Sequence, residues 1–121
     1  MELERLDADL TVCKVASLGE ATPKGGLFFL AVTDNEISVV CETRLTPKQT
    51  TERTDGWRGL RVSGTMDFSL VGVLARLSGT LAEESIPLFC VSTFDTDYLL
   101  VRTPDFERAC EALRKAGHTI R

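Results

Sequence analysis

A single histidine, a single tryptophan and a single tyrosine are spread over 121 residues, and no apolar run approaches the roughly 20 residues that a membrane-spanning helix needs. A Ser/His/Asp triad or a histidine-based zinc site would have to be built around His118, close to the last residue, so hydrolase and metalloenzyme chemistry lack their usual parts. No metal or cofactor is expected. Basic clusters are also missing: 14 Lys+Arg lie scattered against 18 Asp+Glu, for a net charge of -4. That leaves no electrostatic footprint for nucleic acid, and neither nucleic acid nor a membrane is expected as a partner. The four cysteines, Cys13, Cys41, Cys90 and Cys110, form no CxxC pair, and each sits in an apolar run, which predicts buried free thiols rather than ligands or nucleophiles. The opening MELERLDADL mixes charges of both signs without an apolar core, so it is not read as a secretory signal. Together with free thiols, this predicts a cytoplasmic location.

What is present is an ordinary globular composition, 43% hydrophobic and 26% charged, enough for one compact domain or two very small ones sharing a core. Residues 10–17 (LTVCKVAS) alternate and are rich in β-branched residues, as a strand would be. A loop ending at Gly25-Gly26 leads to two apolar runs, LFFLAVT and ISVVCE, separated by Asp34-Asn35-Glu36, which predicts a hairpin. Residues 43–56 are polar and Thr-rich, with Pro47 able to open one or two helical turns, and form the candidate boundary. Trp57 then introduces a strand, RGLRVSG.

A helix is predicted next from the spacing of Leu70, Val73, Leu74, Leu77 and Leu81, with Asp67 or Ser69 as its cap. A second hairpin follows, IPLFCVSTF and DYLLVR, with Asp95-Thr96 at its corner. The last helix is predicted with Thr103 as N-cap, Pro104 in its first turn, an inward row of Phe106, Ala109, Cys110 and Leu113, a surface pair of Glu111 with Lys115, and Gly117 as terminator. Residues 118–121 can close the order as a short strand.

From Arg58 the order is β-α-β-β-α-β, a ferredoxin-like α+β arrangement in which two helices cover one face of a four-stranded antiparallel sheet. The two hairpins also align without gaps, Leu27 on Leu88, Phe28 on Phe89 and Asp34 on Asp95. The chain thus reads as two related units, residues 1–56 and 57–121, of which the first has lost its first helix.

A duplicated unit of this kind, with Gly and Asp at the first strand-to-helix turn and the hairpin string STFDTDYLLV, resembles the ACT domain, a regulatory module that binds amino acids. More narrowly, residues 57–101 are similar to small bacterial tandem-ACT proteins related to the CASTOR amino-acid sensors. The resemblance implies a non-catalytic sensor, a homodimer, whose ligand lies against the first strand-to-helix loop and the hairpin. A further protein would read its occupancy.

The residues themselves suit a zwitterion, which needs N–H donors for its carboxylate and an acceptor for its ammonium group. Backbone N–H groups around Asp67, Phe68, Ser69 and Leu70 at the helix start are candidates for the carboxylate. Asp95 and Asp97, flanking the corner, are candidates for the ammonium, with Thr93 adding a hydroxyl and Phe94 an apolar wall. Each has a plainer reading: Asp67 as a helix cap, Asp95 and Asp97 as turn residues, Gly72 as a helix-packing position, Trp57 as an anchor at the junction between units. In the arginine-sensing relatives, as the resemblance suggests, acidic residues follow the Phe of this turn, where this chain has Ser69-Leu70. A neutral or apolar amino acid is therefore expected rather than arginine, whose buried guanidinium would be unpaired. Two other classes compete: an interaction or scaffold module that keeps the fold without a ligand, and an acylphosphatase-like enzyme. The second is disfavoured because the loop Ser63-Gly64-Thr65-Met66-Asp67 carries an acid and no arginine.

Overall fold

The computed structural model describes residues 1–63 and 72–121. Among these, the strands are β1 (Glu2–Arg5), β2 (Leu10–Val15), β3 (Phe28–Val32), β4 (Ile37–Glu42), β5 (Glu52–Val62), β6 (Phe89–Ser92), β7 (Asp97–Arg102) and β8 (Thr119–Ile120). The helices are α1 (Val73–Glu83) and α2 (Phe106–Lys115). The chain divides into two compact units, one formed by Ala8–Trp57 and the other by Met1–Asp7 with Arg58–Arg121. Strand β5 therefore contributes residues to both. It begins well before Trp57, so the polar stretch expected as a boundary is partly strand.

In the smaller unit the strands run in the order β3-β4-β2-β5, with antiparallel pairing throughout. Its small core comprises Cys13, Val15, Ala21, Val39 and Cys41. Where β5 passes β2, Leu10 pairs with Trp57 but Val12 pairs with Thr54, so β5 holds one extra residue, a β-bulge. Gly56 takes the positive φ of 83° that such a bulge accommodates. The fully buried Thr11 fastens it: its hydroxyl donates to Asp55 Oδ1 at 2.7 Å and lies 2.9 Å from that of Thr43. The Arg53 Nε–H donates to the same Asp55 oxygen, and the two donors hold the Asp55 carboxyl below its usual range, Thr11 contributing most.

This unit has neither helix of the β-α-β-β-α-β pattern, where only the first was expected to be missing. Three-residue 3-10 turns, Leu18–Glu20 and Thr43–Leu45, stand in those places. The second can be traced to Pro47. A residue before proline is pushed to extended backbone, and Thr46 has ψ 134°, which ends the turn. In the larger unit the matching turn, Thr103–Asp105, carries its proline at the second position, where a missing N–H needs no partner, and runs on into α2. Thr103 thus starts a 3-10 turn, and Asp105 takes the N-cap position of α2.

The larger unit has the β-α-β-β-α-β order from β5 through β8, with one addition. Its strand order is β6-β7-β5-β1-β8: β1 lies between β5 and β8, antiparallel to the former and parallel to the latter. Among the described residues the expected four strands are therefore five, because four residues with one buried side chain, Leu3, are too short for alternation to register as a strand. The core gathers Leu3, Leu60, Val62, Leu77, Leu99 and Leu113 with their neighbours on α1 and α2. Each such fully buried side chain stabilises the fold by about 1.5–3 kcal/mol.

Phe106, 2% exposed, opens α2 beneath the guanidinium of Arg58, 4.3 Å from its ring centre, with that of Arg5 at 5.1 Å. Helix α1 starts at Val73, after Gly72 with φ 79°, so Gly72 precedes the helix instead of packing within it. Helix α2 ends in a Schellman arrangement: the His118 N–H bonds to Leu113 O, the Gly117 N–H to Arg114 O, and Gly117 has φ 100°. Glu111 lies 4.0 Å from Arg114, one residue from the Lys115 expected to face it.

Candidate functional site

The corner between β6 and β7, residues 93–96, is closed by the Thr93 N–H bonding to Thr96 O at 2.9 Å. The Thr93 hydroxyl donates to the same carbonyl at 3.1 Å and accepts from the Thr96 N–H at 3.4 Å, so it is committed to the turn. The Thr96 hydroxyl is buried and donates to Val62 O at 2.8 Å. That bond ties the corner to the end of β5, the strand leading into the strand-to-helix connection.

Asp95 and Phe94 stand outward, Phe94 being 81% exposed. Asp97 is different in kind. Its side chain is buried, 7% exposed, at the first position of β7, where it pairs in register with Ser92. The Ser92 hydroxyl donates to Asp97 Oδ1 at 2.6 Å, and no cation forms an ion pair with the carboxylate among the described residues. A buried carboxylate with one neutral donor among the described residues is an unfavourable arrangement unless a positive group joins it.

Of the expected site residues, the structure brings together Thr93, Phe94, Asp95 and Asp97. Asp67, Phe68, Ser69 and Leu70 lie outside the described residues, as do Gly64, Thr65 and Met66. Sequence reasoning missed the roles of Ser92 and Thr96. The only signal for them was the density of hydroxyl and acid groups in STFDTD.

The hairpin of the smaller unit has the same kind of corner. Residues 33–36 close by the same bonds: the Thr33 N–H to Glu36 O at 3.0 Å, and the Asn35 and Glu36 N–H groups to the Thr33 hydroxyl at 3.1 Å each. Strand pairs and 3-10 turns also correspond, Val32 with Ile37 matching Ser92 with Asp97, and Thr43 matching Thr103. The structural equivalence is thus shifted by one residue from the gapless alignment. Asp34 matches Phe94 and not Asp95, because hydrogen bonding of the turn threonine, not similarity of the flanking letters, sets the register. Asn35 and Ile37 then occupy the places of Asp95 and Asp97, so only the second hairpin has acids at those two positions; the acids of the first, Asp34 and Glu36, match Phe94 and Thr96.

Three of the four cysteines are buried as expected, and burial pushes the Cys13, Cys41 and Cys110 thiols up. Cys90 is exposed, because β6 is an edge strand whose alternation turns it outward. No helix among the described residues is long and apolar enough to cross a membrane.

Residues 52–115 match the family described as ACT domain. The protein Atu0741 of Agobacterium tumefaciens, known from its crystal structure, is similar with a TM-score of 0.85 at 31% identity, over 99% of this chain and 91% of that one. Aspartate kinase of Clostridium acetobutylicum, described as an allosteric enzyme, matches with a TM-score of 0.68 at 15% identity, over 94% of this chain but 33% of the kinase. A Vibrio cholerae protein of unknown function, described as a possible transport protein, matches with a TM-score of 0.67 at 16% identity, over 92% of this chain and 85% of that one. The last two similarities are of fold. No curated protein matches the sequence.

Proposed function

The chain belongs to the ACT domain family, a family of regulatory ligand-binding modules, and on that premise we propose that it is a non-catalytic sensor of a free amino acid. The observation that carries this reading is Asp97, a buried carboxylate with one neutral donor and no ion pair among the described residues. An ammonium group is the complement such a carboxylate lacks. Asp95, two residues away and exposed, adds negative charge at the mouth of the same corner. The amino acid's carboxylate is assigned to the connection after β5, at Asp67, Phe68, Ser69 and Leu70; the Thr96 to Val62 bond, which ties the corner to the end of β5, supports that choice. Leu70 and Phe94 favour a neutral or apolar side chain over arginine.

The matching turns at residues 33–36 and 93–96 support a tandem of ACT-like units, residues 1–56 and 57–121, apart from Met1–Asp7, which pack with the second; the first is degenerate, and kinship with the CASTOR-type sensors follows. A cytoplasmic homodimer that reports occupancy to another protein completes the proposal. Thermal melting in the presence of each of the twenty amino acids tests it. A cognate ligand at 100 times its dissociation constant adds about 2.7 kcal/mol of stability. If none raises the melting temperature, the protein is an ACT-fold interaction or scaffold module. That second reading is favoured by the smaller unit, which has neither helix, has no acid at the places of Asp95 and Asp97, and exposes Leu30 and Val32 on β3.

A further inference from the structure

A cavity of about 460 Å³, open to solvent, lies against α1 and the end of α2, bordered by Met1, Arg76, Thr80, Glu83 and His118. It exists because the residues between them are small. A Cβ built on Gly79 or on Gly117 would meet no atom within 4 Å. Arg76 and Thr80 are one helical turn apart and so share a face of α1, with Glu83 a further turn along. None of residues 93–97 borders this space, so its chemistry is independent of the amino-acid site at the hairpin corner.

The polar groups here are mostly donors. Arg76 is exposed and forms no ion pair among the described residues, and its guanidinium is free to turn its fork of N–H groups toward an acceptor. Thr80 is already used, its hydroxyl donating to Arg76 O at 3.0 Å. His118 Nδ1 is buried and has no hydrogen-bond partner among the described residues. A proton placed on that nitrogen would have no acceptor among the described residues, which favours the tautomer with its proton on Nε2, the one able to donate to a ligand. Burial first, then the Met1 amino group and Arg76, hold the imidazole below its ordinary value of 6.5, in keeping with a neutral ring. Glu83 is the one acid among the described residues of the wall, and it forms no ion pair with Arg76.

We infer that the cavity bordered by Arg76 and His118 binds a small oxyanion, a carboxylate or a phosphate, with Arg76 as the charged contact and His118 as a second donor. Because the chain has one histidine, its imidazole C–H signals report on this site alone. The experiment is an NMR titration of the full chain with inorganic phosphate and, separately, with acetate, against sodium chloride at equal ionic strength. The expected result is a saturable displacement of the His118 signals by at least one oxyanion beyond that caused by chloride. Arg76→Gln should weaken it by at least about tenfold, as expected for loss of a charged hydrogen bond. Arg76 is exposed on α1, so an unchanged backbone spectrum elsewhere will verify that the variant is folded. Glu83→Gln should bind at least as tightly as the parent. A response to phosphate alone or to acetate alone identifies which oxyanion is preferred. No displacement beyond chloride, an equal displacement in Arg76→Gln, or weaker binding in Glu83→Gln would each overturn the assignment, the last by pointing to a cation.

Discussion

Replacing Asp97 by Asn separates a ligand-holding carboxylate from one that merely shapes a turn. The amide has nearly the volume of the carboxylate and keeps an oxygen to accept the Ser92 hydroxyl, now at 2.6 Å from Oδ1. What disappears is a negative charge, 93% of whose residue surface is out of water, since Asp97 is 7% exposed. Removing a buried charge that has no ion pair among the described residues is neutral or stabilising, so the unfolding free energy from urea titration should stay within about 1 kcal/mol of the parent or rise. Ligand affinity should move the other way. A charge-assisted hydrogen bond contributes about 2 kcal/mol, which corresponds to about 30-fold in dissociation constant. At a ligand concentration of about 100 times the parent's dissociation constant, the parent gains about 2.7 kcal/mol and the variant only about 0.9 kcal/mol. At about 4 °C per kcal/mol for a chain of this size, the ligand-induced rise in melting temperature should fall from about 11 °C to about 4 °C. A variant that loses more than about 2 kcal/mol of stability yet keeps the full ligand-induced rise would show that Asp97 is a structural turn residue.

Other consequences are narrower. At Gly26, φ is 63° and an added Cβ would collide with the Glu42 carboxylate that accepts the Leu27 N–H, so Gly26→Ala should lower stability by about 1–2 kcal/mol. Gly19→Ala, with nothing within 4 Å and no positive φ, should be neutral or slightly stabilising in the same urea series. The depressed imidazole of His118 fixes the sign of a pH effect: the unfolded chain takes up a proton near 6.5 before the folded one does. The stability contributed by the neutral folded ring is therefore present above that value and lost as pH falls through the folded pKa. Denaturation midpoints measured from about pH 7 to about pH 5 should decline less steeply in His118→Gln; an identical slope would remove His118 as the cause. Under native conditions a thiol reagent should modify Cys90 rapidly and the buried Cys13, Cys41 and Cys110 slowly, and mass spectrometry of the labelled chain should find Cys90→Ser largely unlabelled at early times.

The strongly periodic segments were legible because local pattern and tertiary role coincide in them. Leu77 and Leu81 on α1, and Phe106, Ala109, Cys110 and Leu113 on α2, face the core as their spacing requires. Both hairpins were legible from paired apolar runs around short polar corners. Strand β1 was not, since its partners lie far along the chain: Leu3 pairs with Val62 and Ile120. The polar opening of β5 has no strand signature in sequence because residues such as Glu52, Arg53 and Asp55 carry no apolar alternation; their strand conformation comes from pairing with β2. Of the candidate site, the acids could be picked out but not ranked. Asp95 and Asp97 look alike in sequence, and only burial and the Ser92 bond distinguish them.

By itself the sequence determined the β-α-β-β-α-β order of the larger unit, the inward faces of its helices, and a composition without the usual parts of a hydrolase or a metal site. These follow from periodicity and residue type, which act over a few neighbouring positions. Tertiary structure decided the rest: the insertion of β1 between β5 and β8, the one-residue shift between the hairpins, the outward turn of Cys90, and the placing of Asp97 out of water without a counterion among the described residues. Each depends on strand partners brought together from distant parts of the chain, and their hydrogen-bond register is set by the folded sheet and not by any local run of residues.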